Sequence, residues 1–226
     1  LSDAGAVLAV MEGDDGGLAG AGDGAVWVQM STIGIDAIER CAELAEGRGI
    51  DLVDAPVLGT RKPAEDGQLV VLASGPDDAR ERCEPLFDAV GQRTMWLGPA
   101  GAGSRLKLVV NAWLVSVLEG LAETLALAGG LGLDPKLFLE AIEGGGMDLP
   151  YAHLKGKAMI ERSFEPSFAL KLAAKDADLV VAAAERNGLD LPALRTIAER
   201  LSQGVDAGHG DEDMAATYLT SAARGK

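Results

Sequence analysis

A lysine and an asparagine stand four residues apart near the middle of the chain, in the run Lys107-Leu108-Val109-Val110-Asn111. Residues at this spacing share one face of a helix, so the amine and the amide would lie side by side. In an apolar first turn the lysine loses hydration, which favours the neutral amine and suits it to exchange a proton with a substrate oxygen. The spacing also fits a surface lysine whose stem packs along the helix beside a capping asparagine. Spacing alone favours the surface lysine, because a lone pair of lysine and asparagine is common on helices.

A glycine turn, Gly101-Ala102-Gly103, precedes this helix and has part of the pattern of a phosphate-binding loop. The third glycine of such a loop is absent, because Leu106 occupies its place. One long helical stretch follows, where a dinucleotide-binding loop would open a β-α-β unit. A tight turn between two domains is therefore the favoured interpretation.

A histidine and three carboxylates lie together near the end of the chain, at His209, Asp211, Glu212 and Asp213. Imidazole and carboxylate groups are metal ligands, but carboxylates ahead of an apolar run also favour the first turn of a helix. The capping role is favoured here, and no metal site is expected.

The first hundred residues alternate β-branched runs with helical patterns, as a parallel sheet with crossover helices requires. Helices are predicted at 35–46 and 77–90. Strands are predicted at 6–10, 25–30, 51–57, 68–73 and 94–97.

Beyond a Gly-Pro-Ala-Gly turn at 98–101 the pattern becomes helical, and strand-like runs do not return. The sequence predicts an α/β domain over 1–100 and an all-helical domain over 101–226. A nucleotide-binding domain of this kind opens with a strand, a glycine turn and a helix that binds the pyrophosphate. No such opening is recognisable here, so several tens of residues, including the first β-α-β unit, are expected to be missing before Leu1.

The charge balance argues against polyanionic partners. The formal net charge is −15, and a surface of that sign repels nucleic acid and anionic membranes. The apolar stretch 106–133 is interrupted by Lys107, Asn111, Glu119 and Glu123, which is typical of a soluble helix. Neither nucleic acid nor a membrane is expected as a partner.

The two cysteines, Cys41 and Cys83, both fall on predicted amphipathic helices. Two packed thiols in a reducing compartment are the simplest interpretation. No basic region precedes an apolar run at Leu1, so no signal peptide is recognised and the cytoplasm is the expected location.

The segment 101–111 resembles the catalytic helix of the β-hydroxyacid dehydrogenases, the family of 3-hydroxyisobutyrate dehydrogenase and tartronate semialdehyde reductase, which shares a 6-phosphogluconate dehydrogenase-like nucleotide domain. Four further regions are similar to this family in the same order. They are VQMSTI at 28–33, DAPVLGT at 54–60 with GQL at 67–69, FEPSF at 164–168 with LAAKD at 172–176, and the closing GLDLP at 188–192 with GHGDED at 208–213.

This resemblance implies a Rossmann-type parallel sheet followed by an all-α domain, with the active site in the cleft between them. Lys107 would be the general acid/base and Asn111 a substrate hydrogen-bond donor. Thr32 and Lys175 would contact NAD or NADP, with Leu1 and Ser2 at the edge of the cofactor site. The implied reaction is hydride transfer between the nicotinamide and a small 3-hydroxyacid or its semialdehyde.

The substrate loop departs from the family pattern, because Leu58-Gly59-Thr60 stands where most members have Ser-Gly-Gly. The hydroxyl that would hold a substrate carboxylate is thereby lost. Gly59 still allows close backbone approach, and Thr60, Arg61 or Lys62 could supply the polar contact. An imine reductase of the same architecture is accordingly an alternative.

A non-catalytic relative that uses the fold as an oligomerisation or ligand-binding platform is the competing hypothesis from another class. Such a protein would be expected to lose the lysine, which is retained here at position 107. The long helix that begins near Ser104 is apolar beyond one face, which predicts burial against a second subunit and a homodimer or higher homo-oligomer.

Overall fold

The computed structural model describes residues 1–222. The chain divides into two compact units, Leu1–Val110 and Asn111–Lys226. The division falls inside a single helix, because the first turns of that helix pack with the residues that precede it.

The first unit combines five strands with helices. Strand β1 pairs in parallel with β2, whereas β3 pairs antiparallel with β4 and β4 pairs in parallel with β5. A reciprocal backbone pair between Asp54 and Ser74, 2.8 Å in each direction, joins the two sheets. The elements are α1 (Ala4–Met11), β1 (Val26–Gln29), α2 (Ile35–Gly47), β2 (Asp51–Asp54), β3 (Val57–Leu58), α3 (Arg61–Glu65), β4 (Leu69–Ala73), a 3-10 turn (Asp77–Ala79), α4 (Arg80–Val90) and β5 (Gly91–Trp96).

The strand predicted at 6–10 is wrong, because these residues lie in α1. The Asp3 carboxylate caps this helix by accepting a hydrogen bond from the Ala6 amide at 2.9 Å. The apolar run is hydrophobic enough for either a buried strand or a buried helix. The N-terminal cap and the burial of Val7 favour the helix.

The single strand predicted at 51–57 is two strands that belong to different sheets. The break falls at Ala55 and Pro56, where proline has no amide hydrogen to continue a ladder. Pro56 instead accepts a hydrogen bond from the Leu72 amide through its carbonyl oxygen, at 2.9 Å. The chain thus passes from one sheet to the other at this proline.

Both cysteines are buried free thiols, as the sequence predicted. Burial raises the pKa of the Cys41 thiol to about 11 and raises that of Cys83 as well. The two side chains therefore behave as small apolar groups in separate core clusters of the first unit.

In the described part of the second unit, all regular secondary structure is helical, and loops connect the helices. One isolated β-bridge joins Ala169 and Asp213. Its core contains Leu118, Leu125, Met159, Leu170 and Leu201, each less than 2% exposed. The helices are the remainder of α5 (Ala102–Gly130), α6 (Lys136–Ile142), α7 (Pro150–Glu161), α8 (Leu170–Arg186), α9 (Pro192–Gly204) and α10 (Tyr218–Ser221), with a π turn (Val205–His209) and a 3-10 turn (Met214–Thr217) before α10.

Helix α5 is long and apolar enough, by length and composition alone, to cross a membrane. In its most hydropathic window 44% of the helix is buried inside the protein. Core helices of soluble proteins meet the same two criteria, and Leu118, Ala122 and Leu125 of α5 are fully buried in the second unit.

An ion pair is buried in the second unit. Lys155 Nζ lies 2.7 Å from Asp213 Oδ1, and both side chains are about 5% exposed or less. Burial alone would raise the pKa of Asp213, but hydrogen bonds from Lys155, Ala215 and Ser167 outweigh it and hold that pKa below its usual range. Asp213 also caps the 3-10 turn through the Ala215 amide, so the predicted capping role is confirmed for this carboxylate.

A second buried carboxylate lies on α5. Glu119 is 3% exposed, and it accepts hydrogen bonds from Thr217 Oγ1 at 2.7 Å and from Arg200 Nε at 3.4 Å. Burial raises its pKa, and the two partners partly offset that effect. Residues 213–217 are therefore tied by buried polar groups to both α5 and α7.

Replacing Lys155 by Met should lower the free energy of unfolding by about 3–5 kcal/mol, because the Asp213 carboxylate would remain buried without its cation. Urea denaturation at pH 7 measures the change. Lys171→Met is the matched control, since it removes a lysine from an exposed pair with Asp211 and should change the free energy by about 0.5 kcal/mol or less. Equal effects of the two substitutions would show that burial does not distinguish these pairs.

Candidate active site

The start of α5 is held by a carboxylate that is fully buried. Asp54, at the end of β2, accepts hydrogen bonds from the Ser104 amide and the Ser104 hydroxyl, both at 2.8 Å. Ser74 Oγ lies 3.3 Å from the same carboxylate and accepts from the Gly103 amide at 2.9 Å. A negative charge at a helix N-terminus is favourable, and the amides of Gly103 and Ser104 would otherwise be buried without a partner.

Burial is the largest influence on this carboxylate and raises the pKa of Asp54, and the hydrogen bonds from Ser104, Ser74 and Gly101 act in the opposite direction. These donors satisfy the carboxylate in place of water. The side chain therefore joins β2, β4 and α5 at one point.

At Gly103 the helix α5 approaches the strands closely. A Cβ atom at this position would lie 2.1 Å from the Leu72 carbonyl oxygen and 2.9 Å from that of Asp54. Neither backbone atom can move aside, so only glycine allows the helix to start here. Gly101 has a φ of +90°, which also favours glycine. The turn predicted at 101–103 is thus a packing feature of the first unit.

The predicted substrate residues Leu58, Gly59 and Thr60 connect β3 to α3. Gly59 has a φ of +123°, and a Cβ there would lie 2.7 Å from Leu69 Cδ2. Leu58 is half-buried, whereas Gly59 and Thr60 are exposed. The Thr60 hydroxyl makes no capping hydrogen bond to α3, so it is available to a ligand.

The neighbouring cations Arg61 and Lys62 are engaged on α3 itself. Arg61 pairs with Glu65 at 2.9 Å, and Lys62 pairs with Asp66. In each pair the two residues are four positions apart, and the Arg61 and Lys62 side chains are more than 70% exposed. Of the three polar candidates in this loop, Thr60 is the one best placed to replace the lost serine.

Lys107 lies one turn beyond Ser104 and is half-buried. Because Ser104 is clamped to Asp54, the backbone that carries Lys107 is fixed relative to β2 and to the loop that leaves β3. Asn111 follows one turn later and is 1% exposed, in the second unit.

The carboxyl end of β1 carries the predicted cofactor residues of the first unit. The Gln29 side chain bonds both the amide and the carbonyl of Ser31, at 2.7 and 2.8 Å, which shapes the turn that contains half-buried Thr32. The backbone nitrogen of Leu1 lies 3.0 Å from Ser31 Oγ, so Leu1 lies beside this turn, whereas Ser2 Oγ donates to Asp3.

This turn has the features of a ligand site at the end of a strand. Gly34, with a φ of +86°, leads into α2 without a side-chain cap. Backbone amides at a helix start beyond a strand end are the usual donors to a dinucleotide. This turn is therefore a candidate contact for the cofactor.

In the second unit the structure brings together Asn111 and the pair Lys175-Asp176. Asn111 Nδ2 donates to Asp176 Oδ2 at 2.8 Å, and Lys175 Nζ lies 2.9 Å from Asp176 Oδ1. Asp176 is 5% exposed. Asn111, predicted to contact the substrate, and Lys175, predicted to contact the cofactor, thus both bind the buried carboxylate of Asp176.

Three residues of this arrangement had no role assigned from the sequence. Asp54 and Asp176 stand inside family-like motifs, and Ser104 marks the helix start. Asp54 lies 50 positions before Ser104, and Asp176 lies 65 positions after Asn111, so no local pattern could have paired them. When the capping residue lies on a distant strand, the sequence next to the helix contains no capping motif.

Two families match the chain. Residues 1–98 match the NAD binding domain of 6-phosphogluconate dehydrogenase, and residues 101–220 match the NAD-binding domain of NADP-dependent 3-hydroxyisobutyrate dehydrogenase. The junction between the two matches falls at the glycine turn before α5.

Relatives agree with these matches. The chain is 35% identical over 216 residues to glyoxylate/succinic semialdehyde reductase 1 of Arabidopsis thaliana, covering 96% of the chain and 75% of the relative. It is 32% identical to 2-(hydroxymethyl)glutarate dehydrogenase of Eubacterium barkeri, covering 96% and 72%. The crystal structure of 3-hydroxyisobutyrate dehydrogenase from Salmonella typhimurium superposes with a TM-score of 0.86 at 25% identity, covering 97% of this chain and 76% of that one.

Replacing Gly103 by Ala should destabilise the protein by about 1–3 kcal/mol, because the new methyl group meets backbone carbonyls that cannot move aside. The free energy of unfolding in urea measures this effect. Gly129→Ala on the same helix is the control, since a Cβ there meets nothing within 4 Å and should stabilise by about 0.5–1 kcal/mol. A neutral Gly103→Ala would contradict the close approach of α5 to β2 and β4.

Proposed function

The chain belongs to the β-hydroxyacid dehydrogenase superfamily, and on that premise we propose that it interconverts a short aldehyde or keto acid and the corresponding hydroxyacid. It is an NAD(P)-dependent oxidoreductase of this superfamily. The substrate class and the roles of individual residues are the proposed part.

The observation that carries the proposal is the clamp between Asp54 and Ser104. It fixes the first turn of α5, which carries Lys107, against the strand that leads into the loop 58–60. Lys107 and the loop 58–60 are both connected to one buried carboxylate. The distance between them can therefore stay constant during turnover.

In the proposed reaction Lys107 exchanges the proton. When bound, the nicotinamide supplies hydride to the substrate carbonyl carbon or accepts it from the alcohol carbon. In reduction, the Lys107 ammonium donates its proton to the carbonyl oxygen and forms the hydroxyl group. In oxidation, the neutral amine of Lys107 removes the hydroxyl proton.

The cofactor contacts are proposed for Thr32 and Lys175, with Leu1 and Ser2 at the edge of the site. Support comes from the shaped turn at the end of β1, the uncapped start of α2 and the contact of Leu1 with Ser31. Lys175 adds a cation in the second unit, which suits an anionic cofactor.

We propose that Thr60 and the Gly59 backbone bind the substrate carboxylate in place of the missing serine. The Thr60 hydroxyl is exposed and caps nothing, whereas Arg61 and Lys62 are engaged by carboxylates of their own segment. Half-buried Leu58 adds an apolar surface, which favours a substrate with an alkyl group next to its acid.

The homo-oligomer is a proposal supported by the surface of the second unit. Trp113 and Leu127 on α5 are 66% and 62% exposed, and Leu131, just beyond the helix, is 68% exposed. Helical spacing places the first two on one face. Exposed apolar side chains grouped in this way favour burial against an identical subunit.

A cytoplasmic location is also a proposal, and the two buried free thiols support a reducing compartment.

Lys107→Ala should lower kcat at least about a hundredfold and change cofactor affinity less than twofold, because it removes the proton donor and leaves the cofactor contacts in place. The protein is purified from its complete reading frame, and NADH and NADPH oxidation is followed with glyoxylate, succinic semialdehyde and a cyclic imine. Lys157→Ala, an exposed lysine on α7, is the control and should leave kcat unchanged.

Three results would contradict the proposal. Turnover of the imine alone would favour an imine reductase. Cofactor binding without turnover of any substrate would favour a non-catalytic platform. Full activity of Lys107→Ala would assign proton transfer to another group.

Trp113→Glu should convert the oligomer to a smaller species, since a carboxylate would be buried at the proposed interface. Light scattering coupled to size-exclusion chromatography gives the mass of each species. Leu189→Glu is the control, because Leu189 is 55% exposed but lies outside α5, and it should leave the mass unchanged. A monomeric unaltered protein would overturn the proposed oligomer.

A further inference from the structure

The buried pair of Asn111 and Asp176 leaves two acceptor atoms without a hydrogen bond among residues 1–222, one on each residue. Asp176 Oδ1 has Lys175 Nζ at 2.9 Å as an ion-pair partner, whereas Asn111 Oδ1 has no such partner in that range. Asn111 Nδ2 donates to Asp176 at 2.8 Å, but Asn111 Oδ1 has no hydrogen-bond partner among residues 1–222. Asn111 is 1% exposed, so bulk solvent does not reach this oxygen. A buried acceptor in this state costs about 1–3 kcal/mol, and most such atoms in native proteins are paired. The orphan acceptor indicates a donor that arrives with a ligand.

The carboxylate of Asp176 determines which end of the Asn111 amide faces it. A carboxylate only accepts hydrogen bonds, so it selects the NH2 group of the amide and turns the carbonyl oxygen away. Lys175 Nζ lies 2.9 Å from the other oxygen of Asp176 and forms an ion pair with it. An asparagine at 176 could face either end of the amide and would select neither.

We propose that Asp176 is a positioning residue that orients the Asn111 amide so that its carbonyl oxygen faces the substrate as a hydrogen-bond acceptor. The inference rests on the proposed function, which places Asn111 at the substrate. Asp176 uses one of the two Nδ2 hydrogens of Asn111, so this acceptor role adds to the donor role implied by the family resemblance.

An acceptor at this point distinguishes the two forms of the substrate. A hydroxyl group can donate a hydrogen bond to Asn111 Oδ1, whereas a carbonyl oxygen cannot. Asp176 thereby favours binding of the hydroxyacid over binding of the aldehyde or keto acid. A carbonyl substrate leaves Oδ1 unsatisfied until its oxygen has gained a proton.

The test compares Asp176→Asn with Asp178→Asn, an exposed carboxylate two residues further along α8. The inhibition constant of the hydroxyacid should rise about tenfold in Asp176→Asn, while the KM of the carbonyl substrate changes less than twofold. Asp178→Asn should change neither. Cofactor affinity is measured separately by fluorescence, because Asp176 also contacts Lys175.

Equal changes in both constants, or no change in either, would show that Asp176 is only structural and would overturn the proposal. The double variant Asn111→Ala/Asp176→Asn adds a second criterion. Its hydroxyacid constant should equal that of Asn111→Ala alone, because Asp176 acts through Asn111. Additive effects would also overturn the proposal.

A measurement on the unaltered protein keeps the test independent of variant folding and of turnover. On addition of the hydroxyacid, the NMR signal of the Asn111 carboxamide carbon should shift, while its amide proton bonded to Asp176 stays in place. A shift of that proton with an unmoved carbon would overturn the proposal. Absence of turnover together with the expected NMR pattern would count against the proposed function but support the orientation of Asn111.

Discussion

Burial of the Asp54 carboxylate under the first turn of α5 is the interaction on which the first unit depends. Ser104 and Ser74 supply its hydrogen bonds, and Gly103 lets the helix approach the strands closely enough for them to form. This arrangement also constrains the structure, because a carboxylate that is buried away from water is stable only while its hydrogen-bond donors remain in place. The positions of β2, β4 and α5 are therefore interdependent, and Lys107 inherits its position from them.

The second unit uses buried charge in the same way. Lys155 with Asp213, and Glu119 with Thr217 and Arg200, tie the segment around the 3-10 turn to α7, α5 and α9. Breaking such a contact leaves an uncompensated charge, so these groups specify one arrangement of short, irregular segments that have few regular hydrogen bonds of their own. The pair of Asn111 and Asp176 belongs to this class but is incompletely satisfied, which separates it from the purely structural contacts.

Sequence patterns predicted those helices and strands whose hydrophobic period and end signals both lie within the segment itself. Strand β1, helix α2 and helix α4 follow from β-branched runs and from apolar residues at helical spacing, with start signals at their ends. Helix α1 was missed because its apolar run has no clear period, and the Asp3 cap that favours the helix is a single residue. The division between β2 and β3 was missed because hydrophobicity continues through Pro56, while hydrogen-bonding partners change there.

By itself, the sequence determined the alternating α/β order, the helical second half and the family to which the chain belongs, because these depend on residue types and spacings along the chain. Tertiary structure alone decided that Asp54 caps α5 and that Asp176 turns the amide of Asn111. Both contacts join residues at least 50 positions apart, and a carboxylate acts on whichever donor the fold brings within about 3 Å. Motifs thus singled out Lys107 and Asn111 as candidate site residues, whereas no local pattern identifies the partner that contacts the Asn111 amide.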